Sequence, residues 1–210
     1  MSIGYCEENR AFYLSGKHFS YIVRVTPEGY LNHDYYGELL PMQDLSYYRP
    51  EVSTSCNTTI IGTRLRLCSV MQEYATEFAG DFREPALVPL DKDGCRMCDL
   101  KYVSHEILAE KPVIRSGIPT ARGGETLKIT LADSVSGIRV YLFYTVYEDE
   151  DIITRRAEIV NTTENAVHLE RALSMTLDFH DSDFEMITLT GRHNRERYPQ
   201  RVGLIQGRVS

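Results

Sequence analysis

Short runs of β-branched and aromatic residues that alternate with polar residues at a period of two dominate this sequence. In residues 126–131, Leu127, Ile129 and Leu131 share one face, and polar residues occupy the other. Successive side chains of a strand point to opposite faces, so this pattern predicts a strand with one dry and one wet face. No stretch shows a 3.6-residue apolar stripe with capping residues. We therefore expect an all-β fold.

Turn residues divide the alternating runs into nine or ten predicted strands. Turns are expected at residues 27–29 and 91–94, where Pro, Gly and Asp-Gly favour hairpins. Residues 72–75 give at most one helical turn, and residues 41–64 form one long loop. Short strands joined by short turns favour an antiparallel β-sandwich. The predicted strands lie at residues 19–25, 30–36, 86–90, 95–107, 126–131, 137–147 (covered on both faces), 152–160, 167–179 and 186–189, with a last short run near Leu204.

Composition limits the possible functions. The 210 residues carry 23 basic and 30 acidic side chains, a formal net charge of −7. An acidic surface argues against nucleic acid as a partner. No apolar run approaches the roughly 20 residues of a membrane span, and the N-terminus lacks the basic and apolar regions of a signal peptide. Five cysteines do not indicate a disulfide framework. We expect a cytoplasmic protein that does not bind membranes.

Three clusters could carry chemistry, and each has a plainer explanation. Cys95 and Cys98 form a lone Cys-x-x-Cys motif that lacks the second ligand pair of a structural zinc site. The acidic residues 148–151 suit a solvated turn. Residues 178–183, with carboxylates at Asp178, Asp181 and Asp183, could hold a cation or an acid/base pair but also suit a connecting loop. We predict neither a metal site nor a cofactor.

An arginine-rich segment stands out more clearly. Residues 192–201 hold four Arg and one Glu, a local charge of +3 in an acidic chain. These arginines could pair with surface carboxylates of the protein itself. Alternatively, they could form a donor-rich loop that meets carboxylates or sugar hydroxyls. Nucleic acid is a third, less favoured partner.

Six blocks of this sequence resemble, in the same order, the N-terminal domain of bacterial family 36 glycoside hydrolases, the α-galactosidases. The resemblance runs from about Ile3 to about Gly207. The blocks are Asp-Phe-Arg-Glu-Pro-Ala at 81–86, Asp-Leu-Lys-Tyr-Val-Ser-His at 99–105, Gly-Ile-Pro-Thr at 117–120 with Glu-Thr-Leu at 125–127, Tyr-Thr-Val-Tyr-Glu at 144–148 with Asp-Ile-Ile-Thr-Arg at 151–155, Glu-Arg-Ala-Leu-Ser at 170–174 through Asp-Phe at 178–179, and Arg-Glu-Arg at 195–197.

The resemblance implies a β-supersandwich that precedes a (β/α) barrel, and in that family both catalytic carboxylates belong to the barrel. We expect residues 1–210 to form the N-terminal domain, incomplete at its C-terminal end, without the barrel. No catalytic residue is therefore expected in this chain. The resemblance also implies a homo-oligomer in which this domain contacts the barrel of the same or a neighbouring subunit.

The same resemblance implies sugar-binding residues. In the family a loop before the Arg-Glu block presents a Trp to the sugar, and here His193 stands at that position. Arg192 and Arg195 would support this loop through carboxylate pairs. A carboxylate from the early long loop also reaches the sugar in some members, and Glu51 is the nearest match, beside Ser53.

Three functional hypotheses follow. The leading one is a non-catalytic part of an α-galactosidase that supports the barrel and lends loop residues to a pocket for α-galactoside sugars. The second is a stand-alone carbohydrate-binding sandwich. The third is a stand-alone hydrolase that uses Asp178, Asp181 or Asp183.

Overall fold

The computed structural model describes residues 2–47, 59–79, 81–114, 119–179 and 183–204. Within these ranges it contains twelve strands and one short 3-10 helix at Leu67–Ser69. All strand pairs are antiparallel, so the predicted all-β antiparallel fold is confirmed. The strands are β1 Ile3–Cys6, β2 Ala11–Ser15, β3 Phe19–Val25, β4 Leu31–Glu38, β5 Leu87–Leu90, β6 Lys101–Leu108, β7 Glu125–Ala132, β8 Ile138–Tyr147, β9 Ile152–Asn161, β10 His168–Ala172, β11 Glu185–Arg192 and β12 Arg195–Gly203.

The first sheet is a meander in the order β1-β2-β3-β4. The predicted hairpin at residues 27–29 is confirmed, because Val25 of β3 lies opposite Leu31 of β4. Gly29 takes a positive φ of 93°, which glycine adopts without steric cost. The alternation had not indicated β1 and β2. Strand β2 reads Ala-Phe-Tyr-Leu-Ser and is buried on both faces, so it carries no polar alternation.

The second sheet has the order β6-β7-β8-β9. Leu127, Ile129 and Leu131 of β7 are buried on one face, as predicted. The other face was expected to be wet, but Thr126 is also buried, and its hydroxyl lies 2.8 Å from that of Thr145 on β8. Strand β8 is covered on both faces from residue 142 to residue 146, which confirms that prediction.

The two sheets pack face to face around one apolar core. Burying a large apolar side chain contributes about 1.5–3 kcal/mol, so this shared core accounts for the sandwich. The core takes from the first sheet Ile3, Phe12, Leu14, Tyr21, Val23, Val25 and Leu31, and from the second Leu127, Ile129, Leu131, Ile138, Val140, Leu142, Tyr144 and Val146.

The predicted hairpin at residues 91–94 is wrong. Asp91 does close a turn, since its carboxylate accepts the backbone N–H groups of Asp93 and Cys95, both at 2.8 Å. The chain after this turn does not return along β5, however. Strand β5 pairs instead with β10, and β6 pairs with β7. The residues of the turn predict only the local bend of the chain. Which strands pair depends on how strands distant in sequence pack their apolar faces into the core.

Two long predicted strands are shorter in the structure. The run at 95–107 contributes only β6, Lys101–Leu108, and the run at 167–179 contributes only β10, His168–Ala172. Residues 72–75 contain no helix: Gln72 forms an isolated bridge with Asn32, and Glu73 and Tyr74 form a buried turn. Of the predicted long loop at 41–64, residues 48–58 lie outside the described residues, and the described remainder contains no strand.

Residues 179–210 form a separate compact unit from residues 1–178. Its described part is the hairpin of β11 and β12, in which Glu185 lies opposite Gly203 and Arg192 opposite Arg195. Residues 192–201 were predicted to form a loop, but most of them belong to β12. The sequence there does not alternate between apolar and polar residues, because both faces of the hairpin are largely exposed and carry arginines.

No helix in the described part of the chain combines the length and the apolar character needed to cross a membrane.

Candidate functional site

The predicted sugar-binding residue His193 lies at the tip of the β11–β12 hairpin. His193 and Asn194 form the two-residue turn that joins the opposed pair Arg192 and Arg195. Asn194 adopts a left-handed φ of 64°, which Asn tolerates better than most residues, and its N–H donates to Glu196 Oε1 at 2.9 Å. A two-residue turn of this kind therefore fixes the position of His193 at the end of the ribbon.

Gly191 is required next to this turn. A Cβ atom at that position would lie 2.6 Å from the carbonyl oxygen of Arg195 and 2.7 Å from the Cα of Glu196. The backbones of the two strands therefore approach closely here, which a larger residue would prevent. This close approach coincides with the register shift between Thr190 and Arg192.

The tip is open to solvent and rich in donors. His193, Arg192 and Arg195 are all exposed. An ion pair lies at the far end of this hairpin, where Arg201 Nη1 is 3.0 Å from Glu185 Oε2. Within residues 2–47, 59–79, 81–114, 119–179 and 183–204, no carboxylate forms an ion pair with Arg192 or Arg195. Their guanidinium groups therefore remain available to external hydrogen-bond acceptors.

Glu51, the second predicted sugar contact, lies outside the described residues, as does its neighbour Ser53. The family resemblance implied that His193 and Glu51 reach the sugar. Of these two residues, His193 lies in the part of the chain that the structure describes.

Sequence reasoning missed a buried polar cluster centred on Glu73. This carboxylate is inaccessible to solvent, and its Oε1 accepts hydrogen bonds from the hydroxyls of Tyr21 at 2.6 Å and Tyr144 at 3.0 Å. Arg155 Nη2 lies 2.7 Å from the same oxygen. His33 Nδ1 stands 3.5 Å from Oε2 without forming a hydrogen bond. The cluster joins both sheets, because Tyr21 belongs to β3 and Tyr144 to β8.

The surroundings of Glu73 set the charge states of the cluster. Burial raises the pKa of the Glu73 carboxyl, but the charge of Arg155, the nearby imidazole of His33 and the hydroxyl of Tyr21 oppose this, and the resulting pKa is about 2. Burial, reinforced by the Glu73 charge, raises the pKa of Tyr21 and Tyr144 well above the usual range. Both hydroxyls therefore stay protonated and act as donors to an ionised carboxylate.

Arg155 also ties the chain after β10 to this cluster. Its Nη1 donates to the carbonyl oxygen of Thr176 at 2.8 Å, and the Thr176 hydroxyl donates to the Glu73 carbonyl at 2.9 Å. These bonds hold an irregular segment that has no strand partner of its own. Buried backbone groups are satisfied here by side chains instead of a ladder.

Arg83 forms a second polar centre next to the first. Its Nε donates to Asp81, and its Nη1 lies 2.8 Å from Asp178 Oδ2. Its Nη2 donates to the carbonyl oxygens of Leu67 at 2.9 Å and Val70 at 2.6 Å. One guanidinium thus joins the chain around the 3-10 helix, the Asp81 turn and the end of the first unit.

The remaining predicted clusters have structural roles. Cys95 is exposed and Cys98 is buried, so the two thiols do not face a common site, and burial raises the pKa of the Cys98 thiol to about 12. Residues 148–151 form the turn between β8 and β9. Burial raises the pKa of Asp178, although Arg83 opposes this. His180 and Asp181 lie outside the described residues. In the part of the chain that the structure describes, no group of three or more His, Cys, Asp or Glu could hold a metal ion.

These features define an antiparallel β-sandwich domain followed by a basic, solvent-exposed hairpin. The family model for the glycosyl hydrolase family 36 N-terminal domain matches residues 29–210. The chain belongs to glycosyl hydrolase family 36 and represents its N-terminal domain.

Individual relatives agree with this assignment. The chain is 35% identical over 209 residues to Alpha-galactosidase 1 from Pediococcus pentosaceus. This match covers 96% of this chain and 28% of that protein. It superposes on the GH36 α-galactosidase AgaB from Geobacillus stearothermophilus with a TM-score of 0.89 and 34% identity, over 99% of this chain and 29% of AgaB. For AgaA from the same organism in complex with raffinose, the values are 0.88 and 33%, over 94% of this chain and 28% of AgaA. The chain thus spans less than a third of these proteins.

Proposed function

We propose that this chain is the non-catalytic N-terminal portion of an α-galactosidase that hydrolyses terminal α-galactosides from oligosaccharides. One observation carries the proposal: nearly the whole chain matches the same 28–29% of several α-galactosidases. In this role it supports the catalytic barrel and contributes loop residues to the sugar pocket. The substrates of the parent enzyme would then be oligosaccharides of the kind bound by AgaA, whose complexes contain raffinose and stachyose.

The arrangement of carboxylates supports a non-catalytic role. A retaining glycosidase needs two carboxyl groups about 5–5.5 Å apart on either side of the glycosidic bond. Asp81 and Asp178 both lie against the same guanidinium of Arg83. An arginine between two carboxylates neutralises them and occupies the space that a sugar would need. Asp178, which the stand-alone hydrolase hypothesis would use, is therefore committed to holding the fold.

The β11–β12 hairpin is the part that we assign to the sugar pocket. His193 can donate or accept a hydrogen bond with a galactose hydroxyl, and Arg192 and Arg195 offer further donors beside it. All three side chains are exposed, and the turn that carries His193 is fixed by hydrogen bonding and by Gly191. A short, ordered hairpin positions such groups more sharply than a mobile loop.

The proposal includes a location and an assembly. We place the parent enzyme in the cytoplasm and expect it to be a homo-oligomer in which this domain contacts the barrel of its own or a neighbouring subunit. Neither a metal nor a cofactor takes part in the role that we assign to this chain.

The proposal is tested by replacing the matching N-terminal part of the Pediococcus α-galactosidase with this chain. The chimera should hydrolyse raffinose and an aryl α-galactoside, whereas the isolated chain should release no nitrophenol. An inactive chimera that is folded, or turnover that co-purifies with the isolated chain, would contradict the proposal. Isothermal calorimetry of the isolated chain with galactose and raffinose addresses the alternative, because tight binding there would indicate a stand-alone carbohydrate-binding module.

A further inference from the structure

Phe82 exposes a large aromatic side chain in an otherwise anchored turn. Phe82 is 91% exposed, although the side chains of both neighbouring residues point into the protein. Asp81 is only 8% exposed, and the side chain of Arg83 is 22% exposed. Single exposed apolar residues are common on protein surfaces, so exposure alone means little. Phe82 differs because a large aromatic side chain is combined with a firmly held backbone.

Hydrogen bonds fix the chain on both sides of Phe82. Asp81 Oδ2 accepts from Gln72 Nε2 at 2.6 Å, and its N–H donates to the carbonyl oxygen of Phe78 at 3.0 Å. Asp81 Oδ1 accepts the N–H of Arg83 at 3.2 Å. The Arg83 side chain is in turn held by the four groups described above. The backbone that carries Phe82 is therefore held in place, and its side chain is exposed to solvent.

Such an arrangement suits an anchor in a protein interface. Ordering loops and side chains on binding weakens the affinity. A residue that is already held in place avoids much of this entropic cost. Aromatic residues also dominate the small set of side chains that carry most interface energy, typically where they enter a pocket on the partner. An exposed Phe on a firmly held backbone combines both properties.

We propose that Phe82 inserts into an apolar pocket on the catalytic part of the α-galactosidase polypeptide. This inference rests on the proposed function. The comparisons indicate the partner of Phe82. More than two thirds of each relative's length lies outside the segment that matches this chain. A sugar is a poorer fit for Phe82. The adjacent Arg83 guanidinium is taken up inside the fold, and Glu84 forms an ion pair with Arg171.

The first test uses the isolated chain. Because the Phe82 ring makes little contact within this chain, Phe82→Ala should shift its Tm by less than about 2 °C, the scale of an ordinary surface substitution. A loss of more than about 5 °C would show that the ring packs inside the domain and would overturn the proposal. Val135→Ala is the matched control, since Val135 is 93% exposed in an ordered turn where its N–H donates to Asp133 Oδ1 at 2.9 Å.

The second test uses the chimera with the Pediococcus catalytic part and scanning calorimetry. Docking should raise the Tm of the N-terminal domain above that of the isolated chain. Phe82→Ala should remove about 5 °C or more of this increase, whereas Val135→Ala should leave it unchanged. A chimera with no increase, or a Phe82→Ala chimera that melts like the parent, would overturn the proposal.

The calorimetric result separates this inference from the proposed function. A chimera that shows the Phe82-dependent increase without hydrolysing raffinose would contradict the proposed function and support the docking. Two further outcomes on the isolated chain would reassign Phe82 and overturn the proposal. One is raffinose binding that Phe82→Ala abolishes, and the other is a dimer by light scattering that Phe82→Ala dissociates.

Discussion

Arg155 Nη2 lies 2.7 Å from Oε1 of Glu73, and both side chains are buried between the two sheets of the sandwich. Removing two charges from water is costly, so such a pair is tolerated only when its hydrogen-bonding groups are satisfied. Tyr21, Tyr144 and the Thr176 carbonyl satisfy most of them. The pair therefore links β9, the buried segment at 70–76 and the chain after β10 as one unit.

Replacing Glu73 by Gln should destabilise the domain strongly. The substitution keeps the shape but leaves the buried guanidinium of Arg155 without its counter-charge, which typically costs about 3–5 kcal/mol. Urea unfolding followed by circular dichroism measures the change. The double variant Glu73→Gln, Arg155→Met is the control, because it removes both charges and should recover part of the loss. Equal stability of Glu73→Gln and the parent chain would contradict this prediction.

Stability should fall in acid because of the same carboxyl. The pKa of Glu73 is lowered from its usual 4.5 to about 2 in the folded state. A group with a depressed folded pKa stabilises the fold above its unfolded pKa, and this contribution is lost as the pH falls through the folded pKa. The domain should therefore lose about 3 kcal/mol between roughly pH 5 and pH 2. Unfolding midpoints across this range should show the slope, and Glu73→Gln should remove it.

Arg83→Lys should destabilise the domain despite keeping the charge. A lysine ammonium cannot reach two carboxylates and two carbonyl oxygens in the fixed geometry of a guanidinium. The loss of charge-assisted hydrogen bonds should cost about 2–3 kcal/mol, measured by thermal unfolding. Arg201→Lys is a suitable control, because its ion pair with Glu185 is exposed and should contribute less than about 1 kcal/mol. Similar effects of the two substitutions would count against the role assigned to Arg83.

His193→Ala tests the sugar-pocket assignment. In the active chimera it should raise KM or lower kcat/KM by up to about tenfold, the effect of losing one hydrogen bond to substrate. The Tm should not change, because His193 is exposed in the domain itself. Glu185→Gln, at the opposite end of the hairpin, should leave the kinetics unaltered. Unchanged kinetics of His193→Ala on both galactose and N-acetylgalactosamine substrates would assign His193 to the surface of the loop.

The isolated chain should self-associate through β9. This ten-residue strand is the last in its sheet and has no neighbour on its outer side within the described residues. Exposed strand edges offer unpaired backbone groups to another chain. Light scattering at high concentration should detect association, and Ile152→Lys should reduce it, since Ile152 is 49% exposed and a charge there discourages pairing. A clean monomer that binds no hydrophobic dye would contradict the prediction.

Local pattern predicted best the strands whose ends are marked by turn residues and whose apolar residues recur at every second position. β3, β4, β7 and β8 were found almost to the residue because turn residues bound them and the apolar periodicity shows their buried side. β2 was missed because it is buried throughout, and β12 because it is exposed throughout. Neither strand shows the alternation of apolar and polar residues on which the prediction relied.

The buried cluster could not be predicted from local pattern for a different reason. Glu73 meets Tyr21, Tyr144 and Arg155 over separations of 52, 71 and 82 residues. A charged residue in a short polar stretch normally indicates a surface, and Gln72 and Glu73 gave no other signal. Arg155 lies in a block that resembles the family, which was the available hint. The tip residue His193 was located by the same resemblance, and neither periodicity nor composition would have singled it out.

The burial of Cys98 makes this thiol an internal reporter of domain opening. Alkylating reagents react with the thiolate, which a buried thiol with a pKa of about 12 scarcely forms, whereas Cys95 three residues earlier is exposed. Labelling of Cys98 thus requires the sandwich to open around it, and Cys95 supplies an accessible reference in the same peptide. The ratio of the two labelling rates would measure the free energy of opening in native conditions, without denaturant and at concentrations far below those of calorimetry.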